Sequence, residues 1–266
     1  MNSIVDINPW SLAAGYLLLI LPLAILLHLR VAMLRETGIA LVRMTLQLLF
    51  VGVYLQVVFR LNNALLNVAW VVVMVCVADG SILRGCKLRV RRFALPVFAA
   101  LLAGTAIPVL VFVGPILRRP SWLDAQYVIP LAGMVLGNCL RADIIGLKAF
   151  YEAISREAKS YHQSLAQGAK LNEALQPYFR DALQAALLPT VASMATIGLV
   201  ALPGMMTGVI LAGADPLTAI KYQIAIMIAI FSGTAVTVFL AIWLTIRASF
   251  DDFGLLERGV FRNQGS

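Results

Sequence analysis

The sequence predicts an all-α polytopic membrane protein of about seven transmembrane helices, with the N-terminus outside and the C-terminus cytoplasmic. Three observations carry that prediction. The chain is 61% hydrophobic and only 13% charged, against about 25% charged in soluble domains, and its mean hydropathy is +0.89. Several runs approach the roughly 20 apolar residues that a helix needs to cross a bilayer. The basic residues collect in alternate connections, the pattern of loops that stay in the cytoplasm. A single integral domain over residues 1–266 is expected.

The first span covers about Trp10 to Leu29, with Trp10 at the interface and Pro22 as a kink that membrane helices tolerate. Asp6 precedes it without a basic n-region or a small-residue cleavage site, so it reads as a retained span and not a signal peptide. A short basic loop, Arg30–Thr37, leads to the second span, about Ile39 to Phe59. There Arg43 and Gln47 lie four apart, on one helical face. A tight loop at Arg60–Asn63 precedes the third span, Ala64 to Ala78, and Gly80–Arg92 forms a strongly basic connection. The fourth span, Phe93 to Val113, contains Pro96 and Pro108, and a loop with Arg118, Arg119, Pro120 and Trp122 follows. The fifth span, about Tyr127 to Leu147, carries Asn138, Arg141 and Asp143. After the polar segment Lys148–Leu188 come the sixth span, about Ala185 to Leu202, and a connection punctuated by glycine and proline, Leu202–Pro216. The seventh span runs from near Ala219 to Arg247, and residues 247–266 form a cytoplasmic tail.

The charge count supports this layout. The four connections assigned to the cytoplasm hold 2, 5, 5 and 3 basic residues, 15 in all; the outer ones hold Arg60, Arg118, Arg119 and Lys221. Shifting the layout by one span reverses the asymmetry. The net charge of +8 is therefore explained by the membrane, and no nucleic-acid partner is expected. Cys76, Cys86 and Cys139 lie far apart and form no CxxC pair, so neither a zinc site nor a disulfide framework is indicated.

The segment from residue 148 to 188 is the long hydrophilic interruption. Apolar residues recur at 150, 151, 154, 158, 161 and 165, a helical spacing that extends the fifth span into the cytoplasm as an amphipathic helix. Gly168 suits a left-handed helix stop, Asn172 a cap, and Pro177 the first position of a further helix. The expected order is long helix, short helix, helix re-entering the membrane. Leu165-Ala166-Gln167-Gly168-Ala169, Glu173-Ala174 and Pro189 resemble the coupling loop of bacterial ABC-transporter permeases, without its intact glutamate-alanine-alanine triplet. A membrane-surface helix hairpin with no partner is the other reading.

Three motifs extend the resemblance. They are Ile129-Pro130-Leu131-Ala132-Gly133-Met134-Val135-Leu136-Gly137-Asn138, the punctuation Gly168-Ala169, Glu173-Ala174 and Arg180-Asp181, and Gly198 to Gly208 with its Leu202-Pro203-Gly204-Met205-Met206-Thr207-Gly208 string. Leu211 to Pro216 and Lys221-Tyr222-Gln223-Ile224 follow the third. Together these resemble the FetB-type permeases, membrane subunits of bacterial ABC transporters implicated in iron export, with the plant aluminium-tolerance permeases as relatives. The resemblance implies a multi-pass protein of the bacterial inner membrane, exporting iron or another metal ion. It implies a separate cytoplasmic ATPase that brings ATP and Mg, and a second copy of this chain to match two nucleotide sites. The residues expected to couple to the ATPase are Gly168, Ala169, Asn172, Glu173, Ala174 and Pro177. A self-contained channel or secondary carrier is the alternative.

Candidates for the translocation path are Arg43, Gln47, Asn138, Met205 and Met206. An intramembrane charge is expensive and usually faces a cavity or partner, so Arg43 either lines the path or snorkels to the headgroups. Arg141 and Asp143 sit two apart, on different helix faces, and read as structural, with Asp143 a possible interhelical partner for Arg43. Met205 and Met206 lie in a broken apolar stretch, which is tolerated at membrane depth only inside protein or beside a cavity. A gate and simple packing both fit them. Thioethers favour soft ions over iron, His28 and His162 are isolated, and the metal ligands stay unknown. Gly80–Lys87 mimics a phosphate-binding loop, but Cys86 separates lysine from the second glycine and a span precedes it. The chain is expected to be no enzyme and to bind no cofactor itself.

Overall fold

The computed structural model describes residues 8–118, 121–251 and 253–257. Asp6, Arg119, Pro120, Arg258 and Arg262, which entered the reading above, lie outside them. Among the described residues every regular element is helical. Six helices, or helix pairs in line, are long and apolar enough to cross a membrane: Trp10–His28, Leu34–Leu61, Ala64–Gly85, Val90–Ile116, Ala125–Arg156 and Pro216–Ser249. The chain is a multi-pass membrane protein.

The first crossing is built from α1 (Pro9–Gly15), a 3₁₀ turn (Tyr16–Leu19) and α2 (Ile20–His28). Pro22 has no N–H for the Leu18 carbonyl and its ring crowds that carbonyl, so the tighter turn falls directly ahead of the proline. α3 (Leu34–Leu61) runs back beside it, linked by a Tyr16 Oη–Thr45 Oγ1 hydrogen bond of 2.5 Å. Both crossings are exposed along almost their whole length, and only the last turns of α3 pack on the rest, through Tyr54, Val58 and Phe59.

The core comprises α4 (Ala64–Gly85), α5 (Val90–Val111), α6 (Ala125–Arg156), α8 (Leu171–Thr196) and α10 (Pro216–Ser249). α5 and α10 approach closest at Gly104 and Gly233, as small residues let membrane helices do. At one end of the bundle Asn62, left-handed at φ 38°, closes α3 and accepts a 2.9 Å bond from the Ala125 N–H. Asn63 caps α4, and Asn67 donates to the Leu123 carbonyl at 2.7 Å. The turns before α4 and α6 are thereby tied together. At the opposite end lie the 86–89 turn, the end of α6, α7 (Ala158–Ala166), the start of α8 and the strand-like tail after α10. Tyr161 donates to the Gly254 carbonyl at 2.6 Å, and Arg92 forks onto Glu257.

Several boundaries differ from the sequence reading. The third helix continues to Gly85, taking in Asp79, which is buried, and Arg84, whose Nε donates back to the Gly80 carbonyl at 2.9 Å. α8 stops at Thr196, six residues short of Leu202. Ile197 is extended, Gly198 takes φ +87° and the Gly198 N–H turns back to the Ala201 carbonyl. Glycine adopts that backbone freely, and the following Pro203 cannot continue a helix. The expected loop 202–216 contains a short helix, α9 (Gly204–Leu211). α8 spans 26 residues between the same two ends as its neighbours, but its first half is too polar to count among the six.

Candidate functional site

A cavity of about 520 Å³ opens between α6, α8, α9 and α10. α6 supplies Met134, Asn138 and Arg141 at helical spacing, so all three present to one side. α8 supplies Thr190 and Ser193 beside Pro189, and α9 supplies Met205. α10 supplies Gln223 and Met227. The bend that ends α8 at Thr196 lets α9 fold back against this space. A second cavity, about 450 Å³, adjoins it and contains Met194 and Met206; Ile197, Pro203, Gln223 and Met227 border both.

The polar groups here are few. Asn138 donates to the Met134 carbonyl at 2.8 Å, and Ser193 to the Pro189 carbonyl at 2.9 Å, each within its own helix. Arg141 is exposed into the cavity and has no ion-pair or hydrogen-bond partner among the described residues. Gln223 is only 8% exposed, and its amide likewise has none. No Asp, Glu, His or Cys borders the larger cavity, and the described residues contain no group of three such side chains that could hold a metal ion.

The structure thus brings Asn138 and Met205 to one cavity and Met206 to its neighbour, but leaves Arg43 and Gln47 apart on the exposed face of α3. Asp143 is not the partner of Arg43. It is fully buried on the far side of α6, accepting a 3.0 Å bond from the Thr237 hydroxyl, while its other oxygen has no partner. Its neighbour Arg141, read as structural, faces open space because residues two apart on a helix point to different sides. Gln223 was missed as a candidate. Its signal was a lone amide in the apolar run that follows Pro216.

At the opposite end, a hollow of about 450 Å³ lies over the turn between α7 and α8, bordered by Gly168, Ala169, Glu173, Ala174 and Pro177. Gly168 takes φ +92°. Asn172 does not cap: Lys170 holds the N-cap position and its N–H donates to Glu173 Oε2 at 2.9 Å, so the chain turns two residues earlier. Pro177 lies inside α8 and starts no further helix. The short helix of this segment is α7, set off from α6 at Glu157. Nearby, burial pushes the Cys86 thiol up to about 12, which leaves it protonated and unreactive at neutral pH.

The profile of UPF0014, an uncharacterised protein family, matches residues 9–250. A UPF0014 membrane protein of Synechocystis is 37% identical over 185 residues, 70% of this chain and 71% of its own. The Escherichia coli protein named "probable iron export permease protein FetB" is 31% identical over 247 residues, 92% of this chain and 93% of its own. The Arabidopsis thaliana protein ALUMINUM SENSITIVE 3 is 34% identical over 190 residues, 70% of this chain and 66% of its own. No solved structure matches. The chain belongs to the UPF0014 family of membrane proteins.

Proposed function

We propose that this chain is the permease subunit of an ABC transporter of a bacterial inner membrane, exporting iron or another metal ion with ATP hydrolysed by a separate subunit. The observation that carries the reading is the hollow over Gly168, Glu173 and Pro177, because α8, which begins at it, also reaches the cavity. α8 leads from there to Thr190 and Ser193; α6, with Arg141 and Asn138, ends at Arg156 and is followed by α7, the other helix beside the hollow. A load applied to the turn is therefore delivered to the α8 wall of the cavity through continuous helix. The name of the E. coli relative supports the export and iron parts of the reading.

In this reading α8 is a seventh crossing, the N-terminus is outside, and the hollow and the tail face the cytoplasm. Two copies of the chain work with two ATPase subunits, and neither ATP nor Mg is held by the permease. The coupling residues are Gly168, Ala169, Glu173, Ala174 and Pro177, with Asn172 beside them in the first turn of α8.

The test is a pull-down of the tagged permease from its native membranes, joined to an iron-efflux measurement. The wild type is expected to retain an ABC ATPase, and Gly168→Arg with Glu173→Lys to lose both the ATPase and efflux. Efflux that survives the double substitution, or that runs in liposomes without ATPase, favours the channel or carrier instead. Unchanged cellular iron in cells with and without the protein under iron stress removes iron as cargo.

A further inference from the structure

We infer that the cavity between α6, α8 and α10 binds an oxyanion, a carboxylate or phosphate group, at Arg141, so that a metal cargo enters as an anionic chelate and not as a bare cation. Arg141 is the one charged residue bordering this space, and it has no acidic partner among the described residues. An arginine at membrane depth without a counter-ion lacks the compensation that such charges ordinarily have. Its planar fork of donors matches carboxylate and phosphate geometry.

Gln223 stands independently of Arg141. The residue is 8% exposed, borders both cavities and has no side-chain hydrogen-bond partner among the described residues. Its amide atoms are open to that space rather than sealed in the core, and the N–H₂ adds a donor on its α10 side, further along the cavity from Arg141. Asn138 keeps one amide hydrogen free after bonding the Met134 carbonyl. Most of the remaining wall is apolar, the pattern of a small-molecule site with a few placed polar groups.

A bare metal ion finds little here. Among the described residues, no carboxylate, imidazole or thiol borders the cavity. The thioethers of Met134, Met205 and Met227 would suit a soft monovalent ion, but the Arg141 charge opposes any cation in the same space. An iron ion wrapped in carboxylates reverses that sign: its outer face is anionic and carries the groups that arginine recognises.

The inference deepens the export reading only in naming the cargo's form, and it is tested on the permease alone, without ATPase. The full chain in phosphatidylcholine nanodiscs is titrated with citrate, iron(III) citrate, inorganic phosphate and ferrous iron under ascorbate, with melting temperature and calorimetric affinity as readouts. Citrate, iron(III) citrate or phosphate is expected to bind the wild type. Arg141→Gln should weaken that binding about tenfold or more, as loss of a hydrogen bond to a charged group does. Arg141→Lys should recover part of it, and Gln223→Ala should lose less than Arg141→Gln. An unchanged melting temperature of each ligand-free variant shows that it is folded.

Stabilisation by ferrous iron alone, no response to any probe, or oxyanion binding unaffected by Arg141→Gln each overturns the inference. A response that disappears in phosphatidylglycerol nanodiscs assigns the site to a lipid headgroup and overturns the soluble-anion assignment. Loss of ATPase pull-down with intact oxyanion binding would instead defeat the transporter reading and leave this one standing.

Discussion

Gly104 on α5 and Gly233 on α10 meet so closely that a β-carbon added to Gly233 would lie 2.6 Å from the Gly104 carbonyl oxygen. One added to Gly104 would lie 2.7 Å from the Thr237 β-carbon. The crossing seats the helix that carries Gln223 and Met227 against the core, and it leaves no room for any other residue. Gly233→Ala is expected to destabilise by about 1–3 kcal/mol through overpacking, and Gly233→Leu to prevent stable assembly. Thermal unfolding in nanodiscs checks both. Gly137, whose added β-carbon meets nothing within 4 Å, is the control and should accept alanine without loss.

Gly168 illustrates a different constraint. Nothing surrounds its missing side chain, but its φ of +92° is closed to most residues. Gly168→Val should cost about 1–2 kcal/mol locally from left-handed strain, and Gly168→Asn distinctly less, because asparagine visits that region. Limited proteolysis between α7 and α8 reads the difference as faster cleavage in the valine variant. Equal cleavage of the two variants would mean that backbone strain does not govern this turn.

Asp143 and Thr237 form a buried hydrogen bond at 3.0 Å between α6 and α10. Asp143→Ala strands the Thr237 hydroxyl and should cost about 1–3 kcal/mol. Asp143→Asn keeps an acceptor oxygen in place and should cost less. The order of melting temperatures, wild type or asparagine above alanine, is the outcome to look for; the reverse order would dismiss the bond as a stabilising contact.

The tail is held by a pH-sensitive contact. Arg92 donates to both carboxylate oxygens of Glu257, one at 2.8 Å, and that hydrogen bonding holds the Glu257 carboxyl below the usual glutamate value. A lowered folded pKa contributes stability that is present above the unfolded value, about 4.3, and is lost as pH falls through the folded one. Protection factors of the amides of residues 253–257, with the intrinsic pH dependence of exchange divided out, should therefore fall on acidification below that range and stay level from neutral to mildly alkaline pH. Glu257→Gln should show low protection throughout and lose the acid dependence of that protection.

Much of the fold was legible because membrane insertion is governed by composition over a window. Runs such as Val71–Val77 and Ile224–Ile230 declare themselves by length and apolarity, and the lipid demands helices whatever their partners. The polar segment was legible for the converse reason. Its details were not: Asn172 and Lys170 compete for one N-cap, and the Glu173 side chain bonding back to Lys170 decided it. The end of α8 at Thr196 hinged on the left-handed Gly198, a local backbone choice that apolarity does not report.

By itself the sequence determined the class of protein, the family and the long polar segment that interrupts the apolar runs. Which residues share a space was decided only by the tertiary structure. Arg43 and Arg141 are alike in the sequence, each a lone basic residue in an apolar run, yet α3 stands outside the core and α6 passes through it. The helical rotation of α6 then sends Asp143 into the packed α10 contact and Arg141 into open space. Gln223 meets that space because α10 packs beside α6 and α8, which form its other walls. Periodicity assigns a face to a side chain, and only packing determines what that face meets.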